Sequence, residues 1–293
     1  MSRFVNRALR IPKLNIVEVG PRDGLQNEKK ILSVDQRVEF INRLQRCGFN
    51  EIEVGSFVSP KAVPQMAGTG EVLNRVQKLP GTRFSVLVPN KRGWDALPKD
   101  KVDEVVFFIS ATEGFNRSNL GAPIRHYQTI YQSLAPEVYD SGLDIRGSIS
   151  CCWICPFDGK TDADNVLRIV EFYKRIGAKT IDLADTIGQA RPEEVVELLL
   201  KVKANIGLEN IAGHFHDSDG YAIANIVAAA QMGVRTFHSS ISGIGGCPFS
   251  PNRVGNVATE KVLQIAGGSQ INFAEFQKTK EWLNHQLVSM QPF

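Results

Sequence analysis

The stretch Asn15-Ile16-Val17-Glu18-Val19-Gly20-Pro21-Arg22-Asp23-Gly24-Leu25-Gln26-Asn27-Glu28 decides the fold. It opens as a short β-branched run and breaks at Gly20-Pro21 into a dense polar cluster, as a strand does when it delivers side chains to a loop. Comparable apolar runs recur at Glu51 to Val54, Arg83 to Val88, Glu104 to Ser110, Ile145 to Ser150, Thr180 to Leu183, Ile211 to His216 and Thr236 to Ser240. Between them lie amphipathic patterns such as Val34 to Cys47, Asp164 to Ile176, Glu193 to Ile206 and Ala222 to Met232, closed by Gly48, Gly177, Gly207 and Gly233, which are expected to be left-handed C-caps. Eight strands alternating with helices predict an α/β chain folded as a closed (β/α)8 barrel rather than an open doubly wound sheet. No G-x-G-x-x-G follows the first run, which argues against dinucleotide binding. The chemically capable residues lie just past the strand ends, where barrel enzymes build their sites.

The 293 residues suit a single barrel domain, with residues 1–14 as an N-terminal arm and 268–293 as a C-terminal helical extension. A net charge of +3 with no Lys/Arg-rich block argues against nucleic acid as a partner. No apolar stretch approaches the roughly 20 residues that span a bilayer, so no membrane partner is expected. Arg3, Arg7 and Arg10 without an acid read as a basic arm or as the remnant of an organelle-targeting peptide; the cytoplasm is the expected location, ahead of the mitochondrial matrix. Five cysteines without an export signal point to reduced thiols. The Cys152-x-x-Cys155 spacing has no second pair at zinc-site distance.

Three clusters carry possible chemistry. Arg22 beside Asp23 pairs a fixed guanidinium with a carboxylate that can bind a hard metal or take a proton; a salt-bridged turn between Gly20 and Gly24 is the other reading. In Gly213-His214-Phe215-His216-Asp217 the i, i+2 spacing sends both imidazoles to one face of a strand, which suits a divalent metal, while Asp217 either supports the ligands or caps the next helix. The glycine-rich stretch from Ser239 to Asn256 places Cys247 on a loop able to close over substrate, or on a plain connection. Asn256 offers an amide oxygen to a hard cation, or caps a helix beginning near Val257.

Taken in order, Val17 to Lys29, Ser56-Phe57-Val58-Ser59-Pro60-Lys61, Val63-Pro64-Gln65-Met66, Asp185-Thr186-Ile187-Gly188, His214-Phe215-His216-Asp217, Gly243 to Pro248 and Gly255-Asn256 resemble the 3-hydroxy-3-methylglutaryl-CoA lyase family of the DRE-TIM metallolyases, from about Asn15 to Leu263. The resemblance implies that Asp23, His214, His216 and Asn256 bind Mg²⁺ or Mn²⁺. It implies that Arg22 stabilises the thioester enolate, that Glu53 orients the ligands, and that Cys247 caps the site from its loop. Gln26, Arg146, Ser148, Asp185, Thr186 and Arg253 are the residues expected to face substrate. It further implies an acyl-CoA partner, a homodimer, and retro-Claisen cleavage of 3-hydroxy-3-methylglutaryl-CoA to acetyl-CoA and acetoacetate, a step of leucine degradation and ketone-body metabolism.

Some positions depart from the family's pattern. Ser148 stands where a tyrosine is usual, Asp219 where a bulkier residue is common, and His238 where an aspartate is usual; Arg253 adds a charge to the closing loop. A longer or differently branched substrate follows as an option. Two rival readings remain: a Claisen-condensing synthase of the isopropylmalate or homocitrate type, against which the Gly-Gly-Cys-Pro loop speaks, and a catalytically silent barrel that only binds CoA esters.

Overall fold

The computed structural model describes residue 11 and residues 13–246, 255–266 and 270–288. Most of the expected arm, together with Cys247 and Arg253, lies outside the described residues.

Eight parallel strands close a barrel: β1 (Asn15–Glu18), β2 (Glu51–Ser56), β3 (Arg83–Leu87), β4 (Glu104–Ser110), β5 (Asp144–Ser150), β8 (Thr180–Asp185), β9 (Ile211–Phe215) and β10 (Thr236–Ser239). A two-stranded antiparallel hairpin, β6 (Ile154–Cys155) with β7 (Gly159–Lys160), projects from the loop after β5. The expected strands all form, with ends shifted by at most two residues. Such shifts are ordinary where the last ladder bond decides the boundary.

The helix Val34–Cys47 shows why the surrounding layer forms where it does. Ser33 and Gln36 make a reciprocal capping box at its start, and Gly48 (φ 95°, ψ 18°) closes it in the left-handed conformation. Its buried Phe40, Ile41, Leu44 and Cys47 recur at one-turn spacing and face the sheet. Gly207 and Gly233 also have positive φ, but their ψ values of −177° and −5° are not those of a left-handed cap, so that expectation is corrected there. Gly207 lies in the mirror-β region open to a residue without Cβ, and turns the chain sharply towards β9. The C-terminal helix is Phe273–Leu287, and its buried Phe276, Thr279 and Leu283 pack it onto Val34–Cys47.

The barrel interior is unusually polar. Barrels of this kind are ordinarily filled by layers of branched apolar side chains. Here the registered pairs Glu53 with Ser85, Ser148 with Asp182, and His238 with His214 bring polar residues side by side in neighbouring strands, and all are buried. Arg146, two residues before Ser148, shares its face and is 2% exposed. A buried ionic layer of this kind is costly unless every charge is matched. Its partners are therefore part of how the site above it is held.

Candidate active site

Past Glu18 the chain makes a single π turn over Gly20–Gly24, in which the Arg22 and Gly24 amides both donate to the Val19 carbonyl at 3.1 Å. Pro21 brings no amide hydrogen to satisfy in that tight first turn. A Cβ on Gly24 would lie 2.7 Å from the Ile244 side chain, so only glycine lets the loop after β10 pack this closely. The turn leaves Arg22 and Asp23 adjacent and buried at the barrel mouth.

Three ligand-type atoms converge there. His214 Nε2 and His216 Nε2 are 3.3 Å apart, and Asp23 Oδ2 lies 3.8 and 3.7 Å from them respectively. A point equidistant from three atoms so spaced is about 2.1 Å from each, the distance Mg²⁺ takes to its ligands. Asn256 joins them: its Nδ2 donates to Asp23 Oδ2 at 2.8 Å and to the Ile244 carbonyl at 3.2 Å, while its Oδ1 is buried without a hydrogen-bond partner among the described residues. Half a turn of that amide presents the orphaned oxygen to the cluster. A carboxylate, two imidazoles and an amide oxygen form a donor set suited to a six-coordinate hard dication rather than to a closed zinc site. The residues present fit the metal that the resemblance implies. Asn256 does not cap the following helix, which starts at Thr259 after Ala258. Asp217 accepts from the Ala222 amide at the start of the next helix and pairs with Lys261 at 2.7 Å.

Burial alone would raise the Asp23 carboxyl, but the Arg22 guanidinium and the two imidazoles outweigh it and hold the group well below the usual carboxylate range. Asp23 is thus ionised in the resting site. Burial pushes His214 down to about 4, keeping its ring neutral and able to offer a lone pair.

Arg22 is gripped on two sides. Its Nε donates to Glu53 Oε1 and its Nη1 to Asp23 Oδ1 at 2.6 Å, and no bond from Nη2 is seen among the described residues. Arg22 borders a cavity of about 370 Å³ that Asp23, His214 and His216 also line. Glu53 spends its second oxygen on Arg146 Nη2 at 2.6 Å and so bridges two guanidinium groups.

The residues expected to meet substrate divide. Gln26, Ser148 and Thr186 line the cavity. Gln26 donates to Asp23 Oδ1 at 2.8 Å, Ser148 donates to Asp182 Oδ2 at 2.7 Å, and Thr186 Oγ1 accepts from the Cys151 amide. Arg146 does not line it: the side chain lies beneath, against Glu53, His238 and Glu104, because the ionic layer needs its charge there. Asp185 is also withdrawn, with its oxygens accepting from the Gln189 and Ala190 amides and so shaping the loop after β8. Burial raises its carboxyl to about 6.

Three buried polar residues carry roles that the sequence reading did not assign. Asp182 accepts from Ser148, with its carboxyl raised to about 6 by burial. Glu18 accepts from the Gly20 and Ile241 amides and from the Thr259 hydroxyl, tying the first turn of the site to the loop after β10. His238 lies between Arg146 and His214. Each is a charged or titratable residue inside an apolar run, a signal visible in the sequence.

The sequence matches the HMGL-like family model over residues 13–282. The chain belongs to that family. A hydroxymethylglutaryl-CoA lyase of Pseudomonas mevalonii is 42% identical over 255 residues, covering 87% of this chain and 85% of its own. A Pseudomonas aeruginosa protein named 3-hydroxy-3-isohexenylglutaryl-CoA/hydroxy-methylglutaryl-CoA lyase is 39% identical over 260 residues, or 89% and 87% of the two chains. The structure of an HMG-CoA lyase from Acinetobacter baumannii in complex with coenzyme A and 3-methylmalate superposes with a TM-score of 0.89 at 30% identity, covering 98% of this chain and 93% of that one. On this membership the chain is a lyase, and the condensing and silent readings fall behind.

Proposed function

We propose that the chain is a divalent-metal-dependent carbon–carbon lyase that cleaves 3-hydroxy-3-methylglutaryl-CoA, or a relative with a longer 3-substituent, into acetyl-CoA and the matching 3-oxoacid. The observation that carries this is the meeting of Asp23, His214 and His216 beside the unengaged Arg22 nitrogen at one cavity. A bound acyl-CoA is supported by the coenzyme A held in the related structure.

Retro-Claisen cleavage requires that a tertiary hydroxyl lose its proton, that the bond to the thioester α-carbon break, and that the departing enolate be stabilised. Asp23, His214, His216 and Asn256 are the residues that would hold Mg²⁺ or Mn²⁺, which when bound supplies Lewis acidity towards the hydroxyl. Among the described cavity residues, Asp23, His214 and His216 are the side chains able to accept a proton. Arg22, fixed by Glu53 and Asp23, offers Nη2 to the thioester oxygen as charge gathers there. Gln26 and Thr186 hold substrate oxygens at the rim, and Cys247 and Arg253 act from the closing loop. Arg146, Glu53 and Asp185 act from behind, by positioning.

The breadth of substrate is supported by the cavity wall. Val58, Val63, Leu87, Phe108, Phe115 and Leu120 line the cavity together with the charged cluster, and Ser148 is a small side chain in its wall. The dual-substrate name of one relative agrees with this. Cys47, Cys151, Cys152 and Cys155 are buried and outside any disulfide, which suits a reducing cytoplasm, and the family resemblance supports a homodimer as the active unit. A mass-spectrometric product screen over 3-hydroxyacyl-CoA esters with Mg²⁺ or Mn²⁺ tests the reading. Acetyl-CoA from the methylglutaryl ester and from 3-alkyl analogues is expected; no cleavage of any ester would overturn the activity, and cleavage of the methyl compound alone would overturn the breadth.

A further inference from the structure

His238 is 2% exposed and touches two groups of opposite consequence. Arg146 Nη1 lies 3.1 Å from its Nε2, and His214 Nδ1 lies 3.2 Å from its Nδ1, with the two rings perpendicular at 89°. A guanidinium can only donate, so His238 Nε2 must be the acceptor and the ring's proton must sit on Nδ1. That proton points at His214 Nδ1, since Asp182 Oδ2 at 3.9 Å is beyond hydrogen-bond reach. His214 Nδ1 is therefore a lone pair, and the neutral His214 ring carries its proton on Nε2. Yet Nε2 is the atom that meets Asp23 and His216.

We propose that His238 controls the tautomer of His214, and that taking up a dication at His214 Nε2 requires both rings to exchange their protonated nitrogens. This rests on the metal-dependent reading above. In the liganded arrangement the His214 proton moves from Nε2 to Nδ1 and donates to His238 Nδ1. The His238 proton moves from Nδ1 to Nε2, where it confronts the Arg146 N–H. No charge changes and no proton leaves the pair. The donor-against-donor contact opposes metal loading, so His238 is a positioning residue that weakens and gates the site. The groups Asp182, His214 and His238 also lie close enough to share a cation, but the Arg146 guanidinium against both His238 and Asp182 disfavours one there.

The test is 15N NMR of histidine-labelled whole protein with and without Mg²⁺, joined to calorimetric titration with Mg²⁺. In the ligand-free wild type, His214 is expected protonated on Nε2 and His238 on Nδ1, with both assignments reversed at saturation and one ion bound per chain. Because an outer partner of a metal-bound histidine typically changes affinity by about 10–100-fold, His238→Asp, which accepts from His214 Nδ1–H and pairs with Arg146, should bind Mg²⁺ about tenfold or more tightly. His238→Asn should keep part of that gain. A ligand-free His214 already protonated on Nδ1, binding without exchange, two ions per chain, or a gain in Asp with none in Asn would each overturn the proposal while leaving the metal-dependent reading intact. Absence of any Mg²⁺ binding would remove both.

Discussion

Replacing Arg22 by lysine separates the charge of the guanidinium from its shape. In the native site Nε and Nη1 are committed to Glu53 and Asp23, and Nη2, which makes no bond among the described residues, is the donor proposed to meet the thioester oxygen. A lysine keeps the positive charge and can still reach Glu53, but a single ammonium at the end of that stem cannot hold both carboxylates and also extend a third donor. Losing the charge-assisted bond to Asp23 costs about 1.5–3 kcal/mol of stability, within what a barrel of this size tolerates. The larger effect falls on catalysis, because one preorganised donor to developing oxygen charge is worth about 10²–10³ in turnover, or about 2.7–4 kcal/mol. The assay is steady-state acetyl-CoA release from 3-hydroxy-3-methylglutaryl-CoA, with Mg²⁺ affinity measured in parallel. A fall in kcat of that size with KM changed by only a few-fold is expected. Near-native kcat with a raised KM would show that Arg22 binds the ground state and that the assigned role is wrong.

Two further substitutions probe the surroundings. Ser148→Tyr fills part of the cavity and takes the hydroxyl donor from Asp182, so the ratio of kcat/KM for the methyl substrate over a 3-alkyl analogue should rise, and an unchanged ratio would show that this wall does not select substrate. Glu18 is raised from 4.5 to about 7, chiefly by burial, so the folded chain holds a proton that the unfolded chain has released between those values. Its contribution is complete below pH 4.5 and is lost as pH rises through about 7, a loss of up to about 3 kcal/mol. Glu18→Gln keeps acceptors for the Gly20 and Ile241 amides and should remove that slope; urea midpoints for wild type and variant that stay parallel from pH 4.5 to 8 would contradict it.

The strands were legible because each is a short apolar run bounded by turn residues, and the meeting of the two imidazoles because His214 and His216 are two apart at the end of one strand. Arg22 and Asp23 were legible as a polar break directly after a strand. The ionic layer beneath was not, because its contacts join residues far apart in the chain: Arg146 reaches Glu53 across 93 residues and His238 across 92. Alternation places Arg146 on the inward face but does not say at what depth, which is why it is expected at the cavity and is found beneath it, against Glu53 and His238. The position of Asp185 was not legible for a related reason: the two amides that donate to its oxygens belong to a loop conformation no periodicity encodes. The tautomer conflict at His238 emerges only once the direction of the Arg146 hydrogen bond is known.

The most direct test of the central claim is acetyl-CoA release after exhaustive chelation and after return of metal. Turnover should disappear on chelation and return with Mg²⁺ or Mn²⁺ in wild type, while Asp23→Ala and His216→Ala chains, shown to be folded, should stay inactive at the same metal concentration. Undiminished turnover in the chelated enzyme, or full activity in either variant, would contradict a metal held by Asp23, His214, His216 and Asn256.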